Sequence, residues 1–259
     1  MIKNLFMTFL FIHILSDFYL QPERAVSPEQ KGITELISRS LPYAACSIFL
    51  FLLLIPGTGF QTAVLFLFAH VVINLLQYLF LKYFCISEKN ADAYRRLIFW
   101  ADQLLHVSVF ALLSYSMRNT DIASLYRGFL FDFTTSFNLS ASAVFSWILK
   151  LLLLYKPANI LIVHLLGSYR PTSKTDKKET DGKEPAEEEK QAGRFIGMLE
   201  RLIMAILISI QQYSAVGLVL TAKSIARYDK ISGDQAFAEY YLLGTLLSTL
   251  VAICISLLF

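Results

Sequence analysis

The sequence predicts an all-α fold, a polytopic transmembrane helical bundle of about seven membrane segments. Of 259 residues, 56% are hydrophobic and 17% charged, a smaller charged share than soluble domains of this size carry. The apolar residues gather in near-continuous runs, and about 20 such residues are enough to cross a hydrocarbon core. Between the runs stand turn signals and charged stretches, such as Pro56-Gly57-Thr58-Gly59.

The seven segments fall near residues 2–20, 41–56, 60–84, 97–117, 142–166, 195–221 and 240–259. The first has only Lys3 ahead of a run longer than a typical leader core, with no small-x-small cleavage site, so it is expected to be retained. Residues 21–40 are polar, with room for a short amphipathic helix from Pro28. The second run ends at the Pro56-Gly57 turn, which predicts a tight hairpin into the third. Residues 118–141 mix Tyr126, Phe129, Phe131 and Phe133 with polar groups, which suits an interfacial or re-entrant segment. The fifth run contains Lys156-Pro157, which predicts a kink. From Pro171 to Lys190 there is no apolar side chain larger than alanine, so no surface is available to order that stretch. The expected organisation is a five-segment bundle over 1–166, a disordered charged linker over 167–193 and a two-helix membrane hairpin over 194–259.

With seven straight crossings, one side of the membrane carries 6 Lys and Arg and the other 14. The richer side, which includes the linker, is expected to be cytoplasmic, with the N-terminus outside and the C-terminus inside. The net charge of +3 has no basic stripe interleaved with aromatics, so nucleic acid is not an expected partner and membrane lipids are. Cys46, Cys85 and Cys254 lie in or beside separate apolar runs and read as small buried hydrophobes.

Polar residues inside the runs carry the functional signal. His13 and Asp17 stand four apart, as do His70 and Asn74, and Asp102 and His106 repeat the spacing in reverse. On a helix, positions i and i+4 share a face, so each pair aims two polar groups in one direction. Ionisable groups at bilayer depth are costly unless they meet a protein interior, a partner or an ion. Nitrogen and oxygen ligands of this kind suit a divalent metal, Zn, Mn or Fe. In that reading His13, Asp17, Asp102 and His106 are ligands, with His70 and Asn74 adding a ligand or orienting one. An open coordination position would supply hydroxide for hydrolysis of a lipid or lipid-linked substrate. The same pairs would also serve a proton- or cation-coupled transporter, or merely hold helices together in an accessory protein.

A second polar set lies towards the C-terminus. Glu200 and Arg201 sit just inside the sixth run, with Arg194, Lys223 or Lys156 as possible cations for Glu200, the candidate general base. Lys223 and Arg227 share a face near the interface, where they either snorkel or meet phosphate. His164 reads as a bundle-facing core histidine.

The motifs His13-x-x-x-Asp17-Phe18-x-Leu20-Gln21, His70-x-x-x-Asn74, Asp102-Gln103-x-x-His106, Gly193-Arg194-x-x-Gly197-x-x-Glu200-Arg201, Ala222-Lys223-Ser224-x-x-Arg227 and Glu239-Tyr240-x-x-Gly244-Thr245 together resemble an uncharacterised bacterial integral-membrane family, one of the domain-of-unknown-function groups. The resemblance implies a multi-pass protein of the bacterial inner membrane and brings no established activity. Asn74 departs from the acid, and Gln77 from the basic residue, that the family pattern implies at those positions. The spacing is more weakly similar to membrane proteins labelled as metal-dependent hydrolases.

Overall fold

The computed structural model describes residues 2–20, 33–54, 59–83, 91–118, 134–167, 169 and 187–259. Among the described residues there are helices and turns and no strands. The expected turn at 56–58, most of the interfacial segment at 118–141 and the linker up to residue 186 lie outside them. The chain forms two compact units, Met1–Ser146 and Trp147–Phe259.

The first unit contains α1 (Ile2–Ile14), a π-helical turn (Leu15–Tyr19), α2 (Ile33–Leu54), α3 (Gly59–Tyr83) and α4 (Ala91–Ser116). Neighbouring helices run antiparallel. Thr62 meets Met117, Phe66 stacks on Phe110 and His70 meets His106, so α3 and α4 pass in opposite directions. Phe9 packs on Phe51 and Phe66 at the centre. The outer faces are equally apolar, with Phe68 and Leu112 more than two-thirds exposed. Bare phenyl and isobutyl groups in such numbers suit hydrocarbon rather than water.

The second unit comprises α5 (Ala141–Leu166, whose first residues belong to the first unit), α6 (Glu187–Ser209), α7 (Tyr213–Ile225), α8 (Tyr228–Gly233) and α9 (Gln235–Leu258). Leu154, Met204, Ala205 and Ala252 form its buried centre, and Val216, Leu220 and Ile255 pack around them. Asp234 caps α9 by accepting from the Phe237 N–H. Helix α5 runs unbroken through Pro157. Proline withholds one ladder N–H and crowds the preceding turn. In that turn, next to the Leu153 carbonyl that Pro157 leaves without its N–H, the Leu154 carbonyl accepts from the buried Arg201 Nε at 2.9 Å.

Four described helical stretches are long and apolar enough to cross a membrane: Phe60–Phe80, Leu97–Ser116, Ala141–Leu166 and Gln235–Leu258. Of the seven expected segments, the described residues depart from a single long helix in three places. The first run is 13 residues of α-helix followed by a π turn, about 20 Å of α-helix at 1.5 Å per residue. The apolar part of α2 is the short stretch Ser40–Leu52. The sixth run is two helices. Its chain reverses at Gln211, whose φ is +60°, and the Gln211 and Gln212 N–H groups bond back to the Ile208 and Leu207 carbonyls at 3.0 and 2.8 Å. This is the Schellman pattern that closes a helix C-terminus. The reversal lays α7 back along α6, so that Lys223 reaches Glu200. Helix α6 begins at Glu187, inside the stretch expected to be linker.

Candidate functional site

Four helices of the first unit each bring one ring to a common point. His13 from α1, Tyr43 from α2, His70 from α3 and His106 from α4 are all at least 96% buried. His13 is 11 residues past the start of α1, His70 is 11 past the start of α3, and His106 is 10 before the end of α4. At 1.5 Å per residue these offsets correspond to about 15–17 Å, half the thickness of a hydrocarbon core of about 30 Å. Antiparallel packing brings these three helix ends to the same side, so the histidines share one level.

Donor and acceptor roles follow from the carbonyl in the network. His106 Nδ1 lies 2.9 Å from the Asp102 carbonyl, which can only accept, so Nδ1 carries the hydrogen. The other nitrogen of a neutral ring is then a bare lone pair, and His70 Nδ1 donates to it at 2.9 Å. Asp102 also sets a carboxylate oxygen 3.2 Å from His106 Nδ1, and its second oxygen accepts from Gln103. His13 Nδ1 meets the Tyr43 hydroxyl at 3.1 Å. The Tyr43 ring lies flat on His70, with centroids 3.5 Å apart, and His13 stacks on His106 at 4.6 Å.

One buried atom of this cluster, His13 Nε2, makes no hydrogen bond, and Asp102 Oδ1 is engaged only by its 3.2 Å ion-pair contact with His106 Nδ1. An unsatisfied buried polar group costs on the order of 1–3 kcal/mol. One ligand nitrogen from each of the three histidines lies within 4.8 Å of the others. A tetrahedral ion with metal–nitrogen distances of 2.0–2.1 Å holds its ligands about 3.3 Å apart. Closing the triad on an ion therefore needs a shift of about 1.5 Å at its widest edge, within reach of small side-chain torsions. The donor set fits. His106 is already oriented as metal-bound histidines are, with the ring N–H on a carboxylate-bearing residue and the lone pair turned inward. An ion held there would take the place of the hydrogen between His70 and His106, and that hydrogen would move to His70 Nε2, keeping the ring neutral.

The remaining sequence candidates take different places. Asp17 is half-buried on the π turn, within electrostatic range of Tyr43 and His106. Asn74 is half-buried one turn beyond His70 on α3. Asp102 stands behind His106, against its outer nitrogen. Glu200 belongs to the second unit and forms an ion pair with Lys223 there. His164 bonds its own helix, at the Ile160 carbonyl. Gln21 lies outside the described residues. Tyr43 is the member that sequence reasoning missed. Its one signal is a phenol within an apolar run, a hydroxyl that needs a partner once buried.

Residues 5–129 match the family described as "Protein of unknown function (DUF3307)". The match lies within the first unit and covers just under half of the chain. All three histidines, Tyr43, Asp17, Asn74 and Asp102 fall inside the DUF3307 match, while the second unit lies beyond it. No curated protein and no solved structure matches the chain.

Proposed function

We propose that the segment matching DUF3307 holds a divalent metal ion in mid-membrane through His13, His70 and His106, and uses it to hydrolyse a lipid or lipid-linked substrate. The observation that carries this reading is the convergence of three imidazoles within 4.8 Å, one of them with an unpartnered nitrogen. Three protein ligands leave a fourth position for water, as in catalytic rather than structural zinc sites. When bound, the ion supplies a Lewis acid and a hydroxide near neutral pH. The chain's own residues do the rest. Asp102 and the Tyr43 hydroxyl fix the orientations of His106 and His13. Asp17 is the nearby carboxylate assigned to accept a proton from the attacking water. Glu200 is engaged by Lys223, which favours Asp17 for that role. Zn suits the all-nitrogen set best, with Mn and Fe behind it.

Elemental analysis of the purified protein tests the metal, and release of product from radiolabelled membrane lipids tests the reaction. The expected result is about one ion per chain in the wild type, lost together with turnover in His70→Ala and His106→Ala. A wild type that takes up no Zn, Mn or Fe on reconstitution ends this reading. The direct His70–His106 hydrogen bond favours a second reading, a proton path running through the imidazoles to Asp102. Proton flux into proteoliposomes that stops in Asp17→Asn, from a protein without metal, would select it. In either case the Lys-rich side at residues 170–190 supports a cytoplasmic placement of that face of a bacterial inner membrane.

A further inference from the structure

At one end of the second unit, α6, α7 and α9 enclose an open cleft of about 390 Å³. Tyr241 organises its cationic wall. The phenol donates to the Lys223 carbonyl at 3.0 Å, and its ring lies 5.6 Å from the Lys223 ammonium and 5.9 Å from the Arg227 guanidinium. A third cation stands behind Gly197. Gly197 lines the cleft, and Arg201 Nη1 is 3.4 Å from the point a Cβ on Gly197 would occupy, so the guanidinium stands next to that wall without itself lining it.

Arg201 is 97% buried, and its Nη2 has no hydrogen-bond partner. The buried Thr245 Oγ1, also without a partner, lines the same cleft. One carboxylate, Glu200, lines it beside Lys223 and Arg227, and it is bonded to Lys223. A buried guanidinium with an idle N–H, two further cations and a free hydroxyl are the groups that recognise a phosphate.

We infer that this cleft binds the phosphate of an anionic phospholipid headgroup, with Arg227, Lys223 and Thr245 lining it and the buried Arg201 guanidinium adding positive charge from behind Gly197. A lipid is favoured over a soluble phosphate because the cleft opens at the first turns of α9. There Tyr240 and Tyr241 precede an apolar helix, the arrangement that aromatic residues take at a membrane–water interface. Ordinary snorkelling would account for the exposed Arg227 but not for Arg201, whose burial puts its head out of reach of water. The site is independent of the metal centre and stands or falls without it.

Native mass spectrometry of the full chain in detergent, titrated with phosphatidylglycerol, phosphatidylcholine or glycerol phosphate, tests it. Phosphatidylglycerol is expected to be retained, and Arg227→Gln to weaken retention about fivefold, the share of one cation near an anionic surface. Arg227→Lys should keep most of the binding. A Cβ on Gly193 meets nothing within 4 Å, so Gly193→Leu should fill the cleft without straining the helix and block the lipid. Equal retention of phosphatidylglycerol and phosphatidylcholine, or of phosphatidylglycerol by wild type, Arg227→Gln and Gly193→Leu, overturns the proposal. Glycerol phosphate binding as tightly as the lipid overturns it as well.

Discussion

Replacing Asp102 by Asn tests how the histidine cluster is held. His106 Nδ1 is fixed by two groups of the same residue, the backbone carbonyl at 2.9 Å and a carboxylate oxygen at 3.2 Å. Mutation of a partner behind a metal-bound histidine costs about 10–100-fold in metal affinity. The carbonyl survives Asp102→Asn and keeps the hydrogen on Nδ1, so the tautomer is preserved. What is lost is the negative charge that makes the ring a stronger ligand. The expected loss is therefore at the lower end, about tenfold or ~1.4 kcal/mol. Competition between purified protein and a fluorescent zinc chelator reads this directly, and both proteins should bind more weakly as pH falls, because protons compete for the imidazole nitrogens. His106→Ala, which removes a ligand, should lose far more. Unchanged affinity in Asp102→Asn would refute the argument that the outer nitrogen is tuned. Loss as complete as in His106→Ala would show that the carboxylate itself coordinates.

Tyr43→Phe keeps the stack on His70 and removes the hydroxyl next to His13 Nδ1. It should cost about 1–3 kcal/mol by leaving that nitrogen unpaired, seen as a lower melting temperature of the detergent-solubilised protein. Zinc at a hundredfold excess over its dissociation constant should stabilise the wild type by about 2.7 kcal/mol and leave the melting of His70→Ala unmoved. Gln211→Gly should stabilise by about 1–2 kcal/mol, because only glycine adopts a positive φ without the clash of a Cβ. Gln211→Val should melt earlier.

The membrane character and the three polar pairs were legible because hydropathy and helical periodicity are local properties. His13, His70 and His106 were singled out by spacing alone, yet spacing does not report which helix turns towards which. Asp102 illustrates this. It shares a face with His106, but the side chain folds against its own helix neighbour instead of pointing past it. Tyr43 was invisible because a phenol in a greasy run has no special spacing. The break at Gln211 was hidden for a different reason. Helix ends of this kind favour glycine, and here a glutamine adopts the left-handed backbone instead, leaving only the Gln211-Gln212 pair to mark the break. Length and hydropathy then read two half-helices as one.

That reversal changes which compartment the last residue reaches. Leu166 lies against Gly244, so α5 finishes beside the first half of α9, and the Lys223–Glu200 pair sets the end of α7 against the middle of α6. A chain that turns back makes no net crossing, so on the proposed orientation Lys223, Arg227 and Lys230 are expected on the cytoplasmic face and Phe259 on the other. The imbalance of positive charge becomes steeper than seven straight crossings allow. A fluorescent protein fused after Phe259 would then be exported and stay dark, while the same reporter placed between Asp176 and Lys190 would glow.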